Sequence, residues 1–263
     1  MIEHYFRPKT VSEALQLMDK HQANATWFGS GSKLNATPTK TVKTVAISLS
    51  DMKLNQIEQV QGELHIGATC SLQSIIDHEL TPDALKQAAA FVYSRHVRNQ
   101  ASIAGEIAAM QDEAVVVPAL IALNAQLQLA GDLTVGIEEY LSSDRGLILK
   151  VIIPEPKCAC LTHTLRRSAA GHAVFTAAVA VDAAGNTIIA LDGMNTLGER
   201  QAKPIRLTDV EKLNLTEEAL EQAISKSIFP VEDIRGSVAY KRYICSIVIS
   251  DLVAECKQLA GRA

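Results

Sequence analysis

Hydrophobic and polar positions alternate in three different textures along the chain. Behind Thr10 and Glu13, which have capping-box spacing, Ala14, Leu15 and Met18 recur at helical intervals and place the first helix. The β-prone runs ATWF (25–28) and TVAISL (44–49) lie on either side of a glycine-bearing turn and read as short strands. Helix and strands together make a small α/β unit over roughly residues 1–52.

The second stretch opens on GELHIGA (62–68), where Leu64 and Ile66 alternate with polar neighbours as in a half-buried strand. TPDALKQAAAFV (81–92) predicts a helix with Thr81 as N-cap, Pro82 at the first helical position and Asp83 in the first turn. The following SRHVRNQASIAGEIA (94–108) is polar and only weakly periodic. VPALIALNA (117–125) reads as helix, and AQLQLA (125–130) and LILKVIIP (147–154) read as strands. Pro154 and Pro156 mark a boundary. Beyond it, two strand-like runs surround Ala183-Ala184-Gly185-Asn186, a hairpin signal. TEEALEQAISKSI (216–228) and YKRYICSIVISDLVAECKQLA (240–260) follow as helices, the second with Ile244, Ile247, Val248 and Leu252 on one face.

Composition narrows the function classes. At 263 residues, 48% hydrophobic and 21% charged, the chain can bury a sizeable core. A net charge of −4 gives no basic footprint for nucleic acid or anionic membrane. Aromatics at 4% argue against base-stacking platforms. The five cysteines (70, 158, 160, 245 and 256) are odd in number and irregularly spaced, which suits free thiols in a reducing compartment. The amino terminus lacks signal-peptide character, and no apolar window is long enough for membrane insertion. The expectation is a soluble cytoplasmic protein.

Candidate chemistry centres on WFGSGSKLNA (27–36). A Rossmann fingerprint requires a third glycine where Leu34 stands, and a Walker A loop requires Gly-Lys-Ser/Thr where the chain has Ser32-Lys33-Leu34. Both motifs fail, which leaves a plain turn and an anion-binding nest of backbone N–H groups as the two readings. A second loop, RNQASIAGEIA (98–108), is small-residue-rich at Ala101, Ser102, Ala104 and Gly105 and would let backbone approach a ligand. Two such loops some 70 residues apart suggest one shared clamp. The histidines form no metal-binding pair, His96 reads as a solvated loop residue, and no nucleophile elbow occurs. Any chemistry would belong to a cofactor. The basic clusters LRRS (165–168) and YKRY (240–243) read as solvated faces or partner contacts.

The order of these features resembles the FAD-binding subunit of the molybdenum hydroxylases, the family of xanthine dehydrogenase and aerobic carbon monoxide dehydrogenase. HYFRPKTVSEAL (4–15) is similar to the family's aromatic-x-x-Pro opening, and GSGSKL (29–34) stands at its Ala-Gly-Gly-Thr/His-Asp/Ser-Leu loop. LHIGATCSLQSI (64–75), VRNQASIAGEIA (97–108), PALIALNAQLQL (118–129) and GSVAYKRYI (236–244) carry the likeness onward.

The resemblance implies an α+β fold: a two-subdomain FAD-binding domain over residues 1–156, divided near 52, and a C-terminal sheet-plus-helices domain over 157–263. It implies FAD as cofactor. The residues it assigns are Phe28, Gly29, Ser30, Gly31, Ser32, Lys33 and Leu34 in the first loop. In the second they are Ser102, Ile103, Gly105 and Glu106, with both loops gripping the pyrophosphate largely through backbone N–H groups. It assigns no catalytic side chain and no metal ligand. It implies partners, a molybdenum-cofactor subunit and a 2Fe-2S subunit, with electrons passing from the iron–sulfur clusters to FAD and on to an acceptor such as NAD. The alternative is a non-flavin or weakly flavin-binding subunit that keeps the fold for complex assembly. Four positions depart from the family pattern: Ser30 and Ala104 replace glycines, Lys33 replaces an acid or serine, and Glu106 replaces an amide. The reading that accommodates them is a joint change, in which Lys33 supplies charge to the phosphates and holds Glu106 away from them.

Overall fold

The computed structural model describes residues 2–36, 43–109, 113–143, 146–194 and 203–262. Its first unit carries β1 (His4–Phe6), α1 (Val11–His21), β2 (Ala25–Phe28), α2 (Ser32–Ala36) and β3 (Val45–Ser48). Half of the capping box forms: the Glu13 N–H donates to Thr10 Oγ1 at 3.2 Å, while Glu13 Oε2 accepts at 2.8 Å from the N–H of Lys9, one residue before the cap. The three strands are parallel, in the order β1-β3-β2, with the wholly buried β3 in the middle. β1 has no sequence signal, because an edge strand of three residues with His4 and Tyr5 exposed shows no alternation.

The second unit begins with β4 (Ile57–Val60) and β5 (Glu63–Gly67), joined through Gln61 and Gly62, both at positive φ. Helices α3 (Leu72–Asp77), α4 (Asp83–Ala90), α5 (Arg95–Gln100), α6 (Ile103–Ala109) and α7 (Val117–Ala122) follow. Then come β6 (Gln126–Leu129), β7 (Leu133–Gly136), α8 (Ile137–Ser142) and β8 (Ile148–Ile153). Five antiparallel strands run β4-β5-β8-β6-β7. Thr81 is not the N-cap of α4. Pro82, at φ −56° and ψ 141°, occupies the cap without a side-chain bond, so the helix starts one residue later and Thr81 lies buried.

The third unit is an antiparallel sheet, β12-β11-β10-β9, made of β9 (Ala159–Arg166), β10 (Ala173–Val181), β11 (Thr187–Asp192) and β12 (Ile205–Arg206). Three helices complete it: α9 (Thr208–Glu211), α10 (Glu217–Ser227) and α11 (Val238–Ala260). The predicted hairpin joins β10 to β11, with Asp182 Oδ1 accepting from the Asn186 N–H at 2.7 Å. Every residue of β10 is buried, and its two faces serve different cores. Phe175, Ala177 and Val179 pack with α10 and α11, whereas Ala178 and Ala180 join the core of the second unit beneath α7. Alanine is small enough to let helices approach both faces.

On α11 the deeply buried stripe is Cys245, Ile249, Val253 and Cys256, one position beyond the predicted face. Ile244, Val248 and Leu252 only flank it. YKRY is not simply a solvated face either. Lys241 is 2% exposed, with Nζ 2.7 Å from Asp233 Oδ1 and donating to the Val231 carbonyl at 2.7 Å. Arg235 adds a bond from Nε to Asp233 Oδ2 at 2.7 Å. Partial burial pushes the Asp233 carboxyl up, but hydrogen bonds from Arg235 and Lys241 outweigh it and hold the group well below the usual carboxylate range. Because the folded value is depressed, this contribution is complete above the unfolded value of about 4 and is lost as pH falls through the folded one. Asp233→Asn is therefore expected to lower stability at pH 7 and to flatten its decline below about pH 4. Urea melts across that range would reveal an unchanged acid limb if the network contributes nothing.

All five cysteines are free. Cys70, Cys245 and Cys256 are buried, and Cys160 lies in β9. Burial pushes the Cys70 and Cys256 thiols up to about 11 and Cys245 higher still. Among the described residues no helix is long and apolar enough to cross a membrane.

Candidate functional site

The parallel pairing of β2 with β3 delivers residues 29–34 to the start of β8, the central strand of the five-stranded sheet, where the second loop also lies. That second loop is stitched in place from below. The Ile103 N–H donates to the Cys70 carbonyl at 3.0 Å, and the Ala104 N–H donates to the Ala68 carbonyl at 3.2 Å. Arg98 anchors the helix before it, donating from Nε to Gln73 Oε1 at 3.0 Å and from its guanidinium to the Val92 carbonyl at 2.8 Å. Ser30 Oγ donates across to the Gln100 carbonyl, and Lys33 Nζ sits 3.0 Å from Glu106 Oε2. Side chains 73 residues apart in sequence thus join the two loops.

Between the loops lies a cleft of about 360 Å³. Gly29, Ser30, Gly31, Ser32, Lys33 and Leu34 line one side, and Ser102, Ala104 and Gly105 line the other. Trp27, Leu49, Ala68, Tyr140, Leu147 and Ile148 give it an apolar end. Among the described residues along its wall, Lys33 alone carries a charged side chain.

Its backbone is shaped for close approach. Gly31 has φ +77°, and a Cβ there would lie 2.3 Å from the Phe28 ring. Cβ atoms at Gly29 and Gly105 would stand 3.1 and 2.9 Å from Ser102 Oγ. Ser30 and Ala104 are absent from the positive-φ residues, so both replace glycine without backbone strain. In the first turn of α2, the N–H groups of Ser32, Lys33 and Leu34 take no acceptor among the described residues. Small residues on both sides and free N–H groups on one fit a pyrophosphate-bearing ligand.

Three expected residues sit elsewhere. Phe28 does not line the cleft. Its ring packs under Gly31 and meets Tyr5 edge-on, with centroids 5.5 Å apart. Ile103 is wholly buried in the core, since α6 turns that side chain inward. Glu106 is 4% exposed and meets the cleft only through Lys33, while its N–H donates to the Ser102 carbonyl at 3.0 Å. The Ile103 and Gly105 N–H groups are also used internally, which leaves the small side chains and Ser102 as what the second loop presents to the cleft. The expected contact between Lys33 and Glu106 is present. His96 is exposed on α5, away from the cleft. Sequence reasoning missed the apolar end. Trp27 could have been noticed beside the glycine turn, whereas Tyr140, Leu147 and Ile148 arrive by tertiary folding and carry no local signal.

Residues 1–156 match the family described as the FAD binding domain in molybdopterin dehydrogenase. The chain belongs to this family. As a molybdopterin dehydrogenase FAD-binding protein it is 49% identical, over the full length of both chains, to the uncharacterized protein YgfM of Escherichia coli (strain K12). Solved structures share the fold across nearly the whole chain. A chain of the reconstituted CO dehydrogenase from Oligotropha carboxidovorans has a TM-score of 0.85 at 18% identity, covering 98% of each chain. A chain of quinoline 2-oxidoreductase from Pseudomonas putida 86 has a TM-score of 0.81 at 18% identity, covering 99% of this chain and 98% of that one. FAD is accordingly the cofactor of the family to which the cleft belongs.

Proposed function

We propose that this chain is the flavin subunit of a molybdenum-hydroxylase-type complex, working with a molybdenum-cofactor subunit and a 2Fe-2S subunit in the cytoplasm. The observation that carries the reading is the two-loop cleft itself, built from residues 29–34 and 102–105 within the part of the chain that matches the FAD-binding family. The first loop holds the pyrophosphate through the Ser32, Lys33 and Leu34 N–H groups and the Lys33 ammonium. The second loop keeps Ser102, Ala104 and Gly105 small so that the phosphates can sit close. Trp27, Tyr140 and Leu147 exclude water from the apolar end. FAD bound there would supply the redox chemistry by which electrons from the iron–sulfur side reach an acceptor such as NAD. Residues 1–156 form the flavin domain on this reading, and 157–263 form a supporting domain.

The test is direct. The purified chain is expected to be yellow, with absorbance near 450 nm, or to become so on soaking with FAD. At FAD a hundredfold above Kd, stabilisation of about 2.7 kcal/mol should appear as a raised Tm. A colourless protein with no shift at saturating FAD would leave the assembly-only role in its place. A tagged chain expressed in its own host is expected to co-purify with molybdenum and iron, and recovery of the chain free of both metals would remove the partner assignment.

A further inference from the structure

We infer that Glu106 sets how tightly the cleft holds a pyrophosphate, by occupying the ammonium of Lys33. The inference rests on the reading of the cleft as the flavin site. Lys33 alone is charged along the described wall, and Glu106 Oε2 lies 3.0 Å from its Nζ. The two partners are unlike in exposure: Glu106 is 4% exposed and Lys33 is 21%. The lysine can therefore reach both the cleft and its partner, whereas the carboxylate cannot turn to water. Separating them would strand a buried charge, so Lys33 stays shared when an anion arrives. A pyrophosphate in the cleft meets a pair of net charge zero rather than a free cation.

Glutamine at 106 would keep the side-chain length and an oxygen that accepts from Lys33 Nζ, while removing the negative charge. The ammonium would stay ordered and its charge would become fully available to the ligand. At an effective dielectric near 20, even a unit charge about 10 Å away changes binding on the order of tenfold. The ligand class that feels this is any pyrophosphate-bearing nucleotide. Riboflavin, which has no phosphate, should be indifferent.

The experiment titrates the full-length chain and its Glu106→Gln variant with FAD, ADP and riboflavin by calorimetry. Quenching of Trp27, the one tryptophan, reports that a ligand has entered the cleft. The variant is expected to bind FAD and ADP on the order of tenfold more tightly, with a steeper loss at high salt and no change for riboflavin. Glu106→Asn, read in the same way, serves if the glutamine variant does not fold. FAD binding no tighter than in the parent protein overturns the inference, and so does an equal gain for riboflavin. Failure of both parent and variant to bind FAD would instead overturn the flavin reading beneath it.

Discussion

Replacing Lys33 with alanine is expected to weaken FAD binding by about tenfold to a hundredfold and to destabilise the protein at the same time. On the proposed reading of the cleft, the binding loss follows from removing a charge-assisted donor to phosphate, which contributes roughly 1.5–3 kcal/mol. The stability loss follows from the partner left behind. Glu106, buried on α6, would be left with no cation beside it, and orphaning one member of a buried pair costs about 3–5 kcal/mol. Lys33 is partly exposed, so water already screens one end of this pair and the low end of that range applies. Glu106→Ala should cost less stability and should not weaken FAD binding, because the lysine it frees can reach solvent and phosphate. Thermal melts with and without FAD give both quantities. A reversed ranking, or two silent variants, would sink the idea that the residues act as a pair.

Gly31→Ala should be as damaging through the backbone alone. At φ +77° an L-residue costs roughly 1–2 kcal/mol, and the new methyl would stand 2.3 Å from the Phe28 ring, adding about 1–3 kcal/mol of overpacking. Tyr5 already stands edge-on against the Phe28 ring, with centroids 5.5 Å apart, so any movement of the ring must also displace that contact. The loop must therefore shift, carrying the Ser32, Lys33 and Leu34 N–H groups off the phosphate position. Loss of detectable FAD binding is expected. Gly62→Ala supplies the control: its φ is +95°, but nothing lies within 4 Å, so only the backbone cost should appear. Equal behaviour of the two variants would show that the Phe28 contact is irrelevant. Recovery in Phe28→Leu/Gly31→Ala would confirm it.

Legibility from sequence followed the reach of each interaction. The helix after Thr10 was legible because its cap and first turn are local, and the β10–β11 hairpin because Gly185 and Asn186 punctuate two apolar runs. Edge strands such as β1 and β7 were not, since strands this short with exposed side chains show no period. The stripe on α11 lies one position from the face that its isoleucines, valine and leucine predict, because Cys245 and Cys256 behave as buried apolar residues. Lys241 was misread because its aspartate partner, eight residues upstream, becomes a partner only through the turn of the chain between them. In the cleft, both loops were visible as small-residue segments, and even the Lys33–Glu106 contact followed from charge logic. Which backbone N–H groups remain free was not visible. That depends on Cys70 and Ala68 carbonyls, which only the fold brings to α6.

The buried thiols give the molecule a clock. Cys256 donates weakly to the Ala159 and Val179 carbonyls, where α11 covers the sheet, and burial pushes its thiol up to about 11. Buried and held as the thiol at neutral pH, it should be ignored by alkylating reagents while the seam is closed. Once α11 lifts, Cys245 and Cys256 return to ordinary thiol chemistry together. Their labelling rate then counts openings of the carboxyl-terminal helix, separating motions there from global unfolding. Binding of a partner over that helix would register as a slowing of the count, with no fluorophore or tag attached.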